Sequence, residues 1–112
     1  MLKVLFFFLI YFISADLLAQ ELVNWQELLD AEVAHEYERI QIGPDSLQFA
    51  DLWLPEREGP HPTVILVHGG CWLGIYPGVA LTHPAAEALS NEGYAVWNIE
   101  YRRIGQDGGG YP

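Results

Sequence analysis

Hydrophobic positions along the chain fall into stretches of different period, and the changes of period mark the elements. Val4 to Ile13 is an unbroken apolar run. Further on, Trp25, Leu28 and Leu29 recur at helical spacing behind Asn24, a capping residue with Glu27 at the capping-box position. This predicts a short helix that fades near Ala34. The acidic stretch Glu32 to Glu38 reads as solvated surface. Arg39 to Ile42 and Leu47 to Leu54 are strand-like, and Gly43-Pro44-Asp45-Ser46 between them carries turn chemistry. Phe49, Asp51 and Trp53 alternate with Ala50, Leu52 and Leu54, so neither face is purely polar, and an antiparallel hairpin at a sheet edge is predicted. Pro55 stops it, and Glu56 to Pro62 reads as a surface loop.

Thr63 to Val67 is a short continuous run of β-branched and aliphatic residues, the pattern of a central parallel strand buried on both faces. It ends in His68-Gly69-Gly70-Cys71-Trp72, where two glycines let the backbone turn sharply and come close to a ligand. Ligand sites of open α/β sheets lie outside the carboxyl ends of strands, so this loop is the candidate site; a plain turn is the other reading of Gly69-Gly70. Ile75 to Leu81 is irregular. Thr82 to Glu92 predicts a helix with Thr82 or His83 as cap, Pro84 in the first turn, and Ala85, Ala88 and Leu89 facing the sheet; Gly93 is its left-handed stop. Tyr94 to Tyr101 is the next strand, completing one βαβ unit with a right-handed crossover. Arg102 to Pro112 is a glycine-rich loop.

Composition narrows the function. The 112 residues are 51% hydrophobic and 18% charged, which fits a globular domain or part of one. A net charge of −10 excludes a basic stripe able to neutralise nucleic-acid phosphates. Cys71 is the single cysteine, so the chain forms no internal disulfide. Residues 1–19 match an export signal: Lys3 gives a positive start, Val4 to Ile13 is shorter than the roughly 20 residues of a membrane span, and Ser14 to Ala19 is a tail with small residues. Cleavage is expected after Ala19, with Ala15 as the alternative, leaving an exported chain without a stable membrane span. A buried amino-terminal helix or an uncleaved anchor is the competing reading.

His68-Gly69-Gly70-Cys71-Trp72 resembles the HGGxW form of the HGGG motif in α/β-hydrolase esterases and lipases. The hairpin ending in Leu52-Trp53-Leu54-Pro55, the Gly93-Tyr94-Ala95-Val96 to Tyr101-Arg102 stretch and the terminal GGGYP are similar to that family too. The branch most resembled holds carbohydrate-ester esterases, kynurenine-formamidase-like enzymes and relatives of prolyl oligopeptidases. The resemblance covers Glu38 to Pro112. It implies an α/β fold, doubly wound with a mostly parallel sheet, of which only the edge hairpin and first βαβ unit are expected here. The organisation is then a signal over 1–19, a helical extension over 20–37 and the amino-terminal part of the hydrolase domain over 38–112. It also implies that the N–H groups of Gly70 and Cys71 stabilise an oxyanion, with His68, Gly69 and Trp72 shaping the loop. The substrate would be a small ester or amide, such as an acylated carbohydrate or peptide, and no cofactor is implied.

The chain departs from the family in having no G-x-S-x-G nucleophile elbow. Ser46 falls in a turn and Ser90 late in a helix, so neither has a nucleophile's strand-to-helix setting. No nucleophile, acid or base is assigned, and the expectation is the amino-terminal part of a longer hydrolase, inactive alone. A cysteine nucleophile at Cys71 would need a partner histidine in space; an incidental thiol fits better. His35, His61 and His83 show no paired metal spacing and read as surface or capping residues. Trp53 and Trp97 read as core aromatics, Arg102 and Arg103 as loop anchors or a carboxylate site, and Asp107 as a turn residue. A non-catalytic secreted binding module, or an unstable remnant of a truncated hydrolase gene, are the rival functions: about 93 mature residues would bury only some 60–65% of their unfolded surface.

Overall fold

The structure is a computed structural model that describes residues 23–110. The expected export signal and Tyr111-Pro112 lie outside the described residues. The elements are α1 (Trp25–Asp30), β1 (Glu38–Gln41), β2 (Phe49–Trp53), β3 (Thr63–Val67), a 3-10 turn (Val79–Thr82), α2 (His83–Asn91) and β4 (Ala95–Ile99). Among the described residues no helix is long and apolar enough to cross a membrane. The fold is α/β.

Asn24 caps α1 as its sequence position predicts, its side-chain oxygen accepting from the N–H of Gln26 at 2.9 Å and of Glu27 at 3.2 Å. The helix ends at Asp30, earlier than the expected fading at Ala34. The acidic stretch that follows is not plain surface. Val33 packs against the core, His35 is half-buried, and the Tyr37 ring stacks on Trp53 at 4.6 Å. Val33 and His35 alternate with exposed residues, and Tyr37, though 41% exposed, continues the same spacing by laying its ring on Trp53.

β1 and β2 form the expected antiparallel hairpin, with Arg39 opposite Asp51 and Ile40 opposite Ala50. The turn closes through Gln48 N–H to Asp45 O at 3.0 Å and Leu47 N–H to the Asp45 carboxylate at 2.8 Å. That is the local side-chain bond for which aspartate is favoured in turns.

The sheet order is β1-β2-β4-β3. Among the described residues the apolar run is not the inner strand. β4 is the inner strand, antiparallel to β2 and parallel to β3, whereas β3 lies at the edge with Ile65 67% and Val67 57% exposed. An apolar run reports an affinity for cover, not the number of neighbours. The βαβ unit itself stands, with β3 and β4 in parallel register and α2 between them in the chain.

α2 covers one face of the sheet. Its buried positions are Ala86 and Ser90, with Leu89 packed against the core; Ala85 and Ala88, expected inward, are exposed. The helix is rotated by one residue from the expected face. Alanines at 85, 86 and 88 give almost no hydrophobic contrast to set it. Thr82 occupies the cap position without a side-chain capping bond; its hydroxyl donates instead towards Val79 O and Asn98 Oδ1, both at 2.8 Å. Gly93 stops the helix as predicted, at φ +96, with Gly93 N–H bonded to Ser90 O and Tyr94 N–H to Leu89 O. This is a Schellman ending, which needs the left-handed residue.

Trp53, Ala86 and Val96 are fully buried between α2 and the sheet. On the same face Asp51 sits at zero exposure, bonded by Arg39 at 2.8 and 3.0 Å and by His83 at 3.0 Å. The other face carries the row Ile65, Trp97 and Leu52, aligned by register. Trp53 is thus a core aromatic as expected, while Trp97 is half-buried on the open face.

Candidate active site

The site forms at the carboxyl ends of β3 and β4. Their parallel register pairs Leu66 with Asn98 and Val67 with Ile99, so the next residues inward on the covered face are His68 and Glu100. Both are buried, and His68 Nε2 lies 2.8 Å from Glu100 Oε1. His68 Nδ1 lies 2.8 Å from Gly69 O, and the ring stacks on Tyr101 at 4.5 Å. Tyr101 in turn donates its hydroxyl to His68 O at 3.0 Å. Both ring nitrogens of His68 thus face groups within the loop and at the end of β4, which ties the ring in place.

Glu100 takes more bonds than its neighbour. Oε1 also accepts from Tyr101 N–H at 2.9 Å, and Oε2 accepts from Val79 N–H at 3.0 Å. The Arg103 guanidinium is 3.5 Å from Oε1. Burial pushes this carboxyl up, but the Val79 and Tyr101 N–H groups and His68 outweigh it and hold it below the ordinary glutamate range. Arg103 is itself buried and donates to Tyr76 O at 2.9 Å, so it anchors the loop, as one of its two sequence readings held. Arg102 is exposed.

Between His68 and Tyr76 the backbone makes a tight turn. Leu73 N–H bonds to Gly70 O at 2.9 Å, and the two central residues, Cys71 at φ 53 and Trp72 at φ 55, are both left-handed. That is the type I′ pattern, rare for side chains of this size. Gly70, at φ +119, is restricted twice over: the φ disfavours any side chain, and an added Cβ would stand 3.3 Å from Tyr76 Cβ. Gly69 differs. It has no left-handed φ, and an added methyl meets nothing within 4 Å, so the backbone reason for glycine holds at 70 and not at 69.

The turn is strapped from outside by the 102–106 segment. Ile104 N–H bonds to Trp72 O at 2.8 Å and Gly74 N–H to Ile104 O at 2.8 Å. No hydrogen bond among the described residues uses the N–H of Gly70 or Cys71. The side chains of Cys71 and Trp72 project into solvent beside a cleft of 270 Å³ lined by Val67, His68, Gly69, Cys71, Trp72 and Tyr101. Of the five motif residues, His68, Gly69, Cys71 and Trp72 line this cleft. Cys71 is a free, exposed thiol, and the histidine nearest in sequence offers it no nitrogen.

The remaining candidates lie elsewhere. Ser90 is buried under α2 with its hydroxyl 3.5 Å from His35 Nε2, which is already bonded to Leu54 O at 2.7 Å. Ser46 is exposed in the hairpin turn. His35 and His83, expected at the surface or as caps, are half-buried and bonded to Leu54 O and Asp51. Asp107 is exposed in a turn. Among the described residues no group of three or more His, Cys, Asp or Glu side chains is placed to hold a metal ion. Sequence reasoning missed Glu100 and the role of Tyr101. The signal was present: Val96, Asn98 and Glu100 share one face of β4 at period two, and the parallel pairing carries that face to His68.

Three comparisons bear on these residues. The BD-FAE family model, an α/β-hydrolase-type esterase domain, matches residues 50–108, more than half of the chain. The crystal structure of a C6-C4 SN3 inhibited esterase B from Lactobacillus rhamnosis superposes with a TM-score of 0.58 at 28% sequence identity. That match covers 70% of this chain and 27% of the esterase, so the chain spans about a quarter of that protein's length. No curated protein matches.

Proposed function

The chain belongs to the BD-FAE family of α/β-hydrolase-type esterase domains, and from that premise we propose that it supplies the oxyanion-stabilising loop of an exported serine hydrolase of ester or amide bonds. The observation that carries the reading is the turn at Gly70–Trp72, in which the N–H groups of Gly70 and Cys71 have no acceptor among the described residues, next to a cleft lined by Gly69, Cys71 and Trp72. Acyl transfer places negative charge on the carbonyl oxygen of the tetrahedral intermediate, and fixed N–H donors meet that charge without reorganising. In hydrolases of this type one donor follows the nucleophile and another comes from the loop after the third strand. Gly70 and Cys71 take that second part. The substrate is a small ester or amide, with acylated carbohydrates and peptides in view.

In this reading the serine, acid and base come from outside these 112 residues, which contain no G-x-S-x-G. The 112-residue chain alone is therefore expected to show no turnover of short acyl nitrophenyl esters and no labelling by a fluorophosphonate; stoichiometric labelling of Ser46 or Ser90 would overturn this. Export rests on the Lys3 start and the Val4–Ile13 run. Mass spectrometry of the secreted product should find Gln20 at the start, and intact Met1 on a cytoplasmic product would count against it.

The decisive measurement is kcat and KM of loop variants in the complete enzyme. Gly70→Val should lower kcat about a hundredfold or more, the usual cost of one lost oxyanion donor. Cys71→Ala should keep most of the activity, because only its backbone N–H is used. A folded Gly70→Val enzyme with unchanged kcat refutes the oxyanion role, and a folded but dead Cys71→Ala points to the thiol instead.

A further inference from the structure

The loop that makes the turn runs from His68 to Val79, and both of its ends meet one side chain. Glu100 Oε1 takes the His68 ring at 2.8 Å, and Oε2 takes the Val79 N–H at 3.0 Å. The carboxylate itself is fixed on the inner strand's end by the N–H of Tyr101 at 2.9 Å. Its exposure is 5%. Tyr101 and Arg103, on the same short stretch, reach back to the loop at His68 O and Tyr76 O. Residues 100–103 thus hold the loop at His68, Tyr76 and Val79, and Asn98 Nδ2 adds a longer bond to Val79 O at 3.4 Å.

The restraint matters because the turn is strained. Two consecutive non-glycine residues at φ 53 and 55 do not hold that geometry by local preference. Released from its ends, the segment would relax Cys71 and Trp72 towards negative φ, and the N–H groups of positions 70 and 71 would lose their fixed orientation. A buried carboxylate is suited to the task. It has acceptor sites for several donors at once, and each charge-assisted bond is stronger than a neutral one.

We propose that Glu100 is the positioning residue of the loop, clamping His68 and Val79 with one carboxylate so that the Gly70–Trp72 turn stays in its strained form. The assignment rests on the oxyanion reading above for its catalytic consequence, though not for its structural one. Glu100 touches no reacting atom; it acts through His68 and the loop backbone.

The test uses two readouts. Amide exchange on the full chain reports loop order through the N–H groups of Leu73, Gly74 and Ile104, each bonded within the loop or its strap. Steady-state kinetics on the complete enzyme report the oxyanion. Glu100→Gln keeps the shape and removes the charge. It should raise exchange at these three amides about tenfold or more, while the amides of β2 and β4 change less than about threefold. It should lower kcat by about tenfold to a hundredfold with KM nearly unchanged. Glu100→Asp keeps the charge but is one methylene short of spanning both partners, and should fall between the parent and Glu100→Gln in both readouts. Unchanged exchange at Leu73, Gly74 and Ile104 in a folded Glu100→Gln chain overturns the proposal. So does global unfolding of both variants, since the carboxylate would then be holding the fold and not the loop. A mobilised loop with unchanged kcat leaves the clamp standing and refutes the oxyanion reading, so the two failures are distinct.

Discussion

Asp51 lies in the middle of β2 and Glu100 just past the end of β4, both buried on the covered face of one sheet. Their partners are of different kinds. The Asp51 carboxylate is bonded by side chains, two guanidinium bonds from Arg39 and one imidazole bond from His83, and the cluster is roofed by the aromatic contacts of Tyr37, Trp53 and His83. Glu100 is bonded to two backbone N–H groups and to a histidine that is itself tied to the backbone. The first arrangement joins strand to strand and strand to helix. The second joins a strand end to a loop. Two carboxylates with similar burial thus serve the fold in one case and the shape of a loop in the other, and the partner's identity separates them, not the depth of burial.

The largest effect expected from breaking that comparison is in Asp51→Asn. Loss of the charge leaves the Arg39 and His83 bonds weakened in a buried place and should cost about 2 kcal/mol, or a fall of roughly 10 °C in melting temperature for a domain of this size. Glu100→Gln should cost less than half as much globally, because its partners lie in a segment that can open alone. Equal losses in thermal melts of the two variants would erase the distinction.

Acid sharpens the same contrast. For Asp51 burial raises the carboxyl, and the bonds from His83 and Arg39 lower it further than burial lifts it. Glu100 is depressed likewise. A carboxyl depressed in the folded state stabilises at pH above its unfolded value, about 3.9 for Asp and 4.3 for Glu, and that contribution is lost as pH falls through the folded value. Melting temperature should therefore drop below about pH 4.3, and Asp51→Asn and Glu100→Gln should each flatten the drop. A parent profile that is flat down to pH 3 would contradict both assignments.

The smallest effects lie in the turn. Cys71→Gly removes a side chain from φ 53 and should stabilise by up to about 1 kcal/mol, the left-handed penalty less the added freedom of the unfolded glycine. Gly69→Ala, with open space and no left-handed φ, should change stability by less than about 0.5 kcal/mol. Urea melts give both numbers, and a Gly69→Ala that destabilises more than Cys71→Gly stabilises would show that position 69 is restricted by the fold.

Much of this was legible in the sequence where the signal is local. The Asn24 cap, the hairpin turn at Pro44-Asp45, the Gly93 stop and the loop at His68–Trp72 are each written within a few residues. The failures were non-local or weak in contrast. Thr63 to Val67 looks the same at an edge as in a centre, because pairing partners lie elsewhere in the chain. The face of α2 was off by one residue among alanines that differ little in apolarity. Val33, His35 and Tyr37 were hidden in a stretch dominated by Glu32, Glu36 and Glu38. Glu100 was passed over because a charged residue at a strand's end ordinarily faces water, and only the parallel register with β3 reveals that this one faces His68.

The strand order has a consequence in time. β4 occupies the inner place yet follows the other three strands in the chain. During synthesis the hairpin can close early, but β3 leaves the ribosome with no strand to pair with until Ala95–Ile99 appears. At about 5–20 residues per second that wait lasts a few seconds. For the same interval the HGGCW segment exists only as unshaped chain, since His68 has no tether until Glu100 is made. The site and the sheet are thus completed by the same few residues, and a pause in translation between Val67 and Glu100 would delay both together.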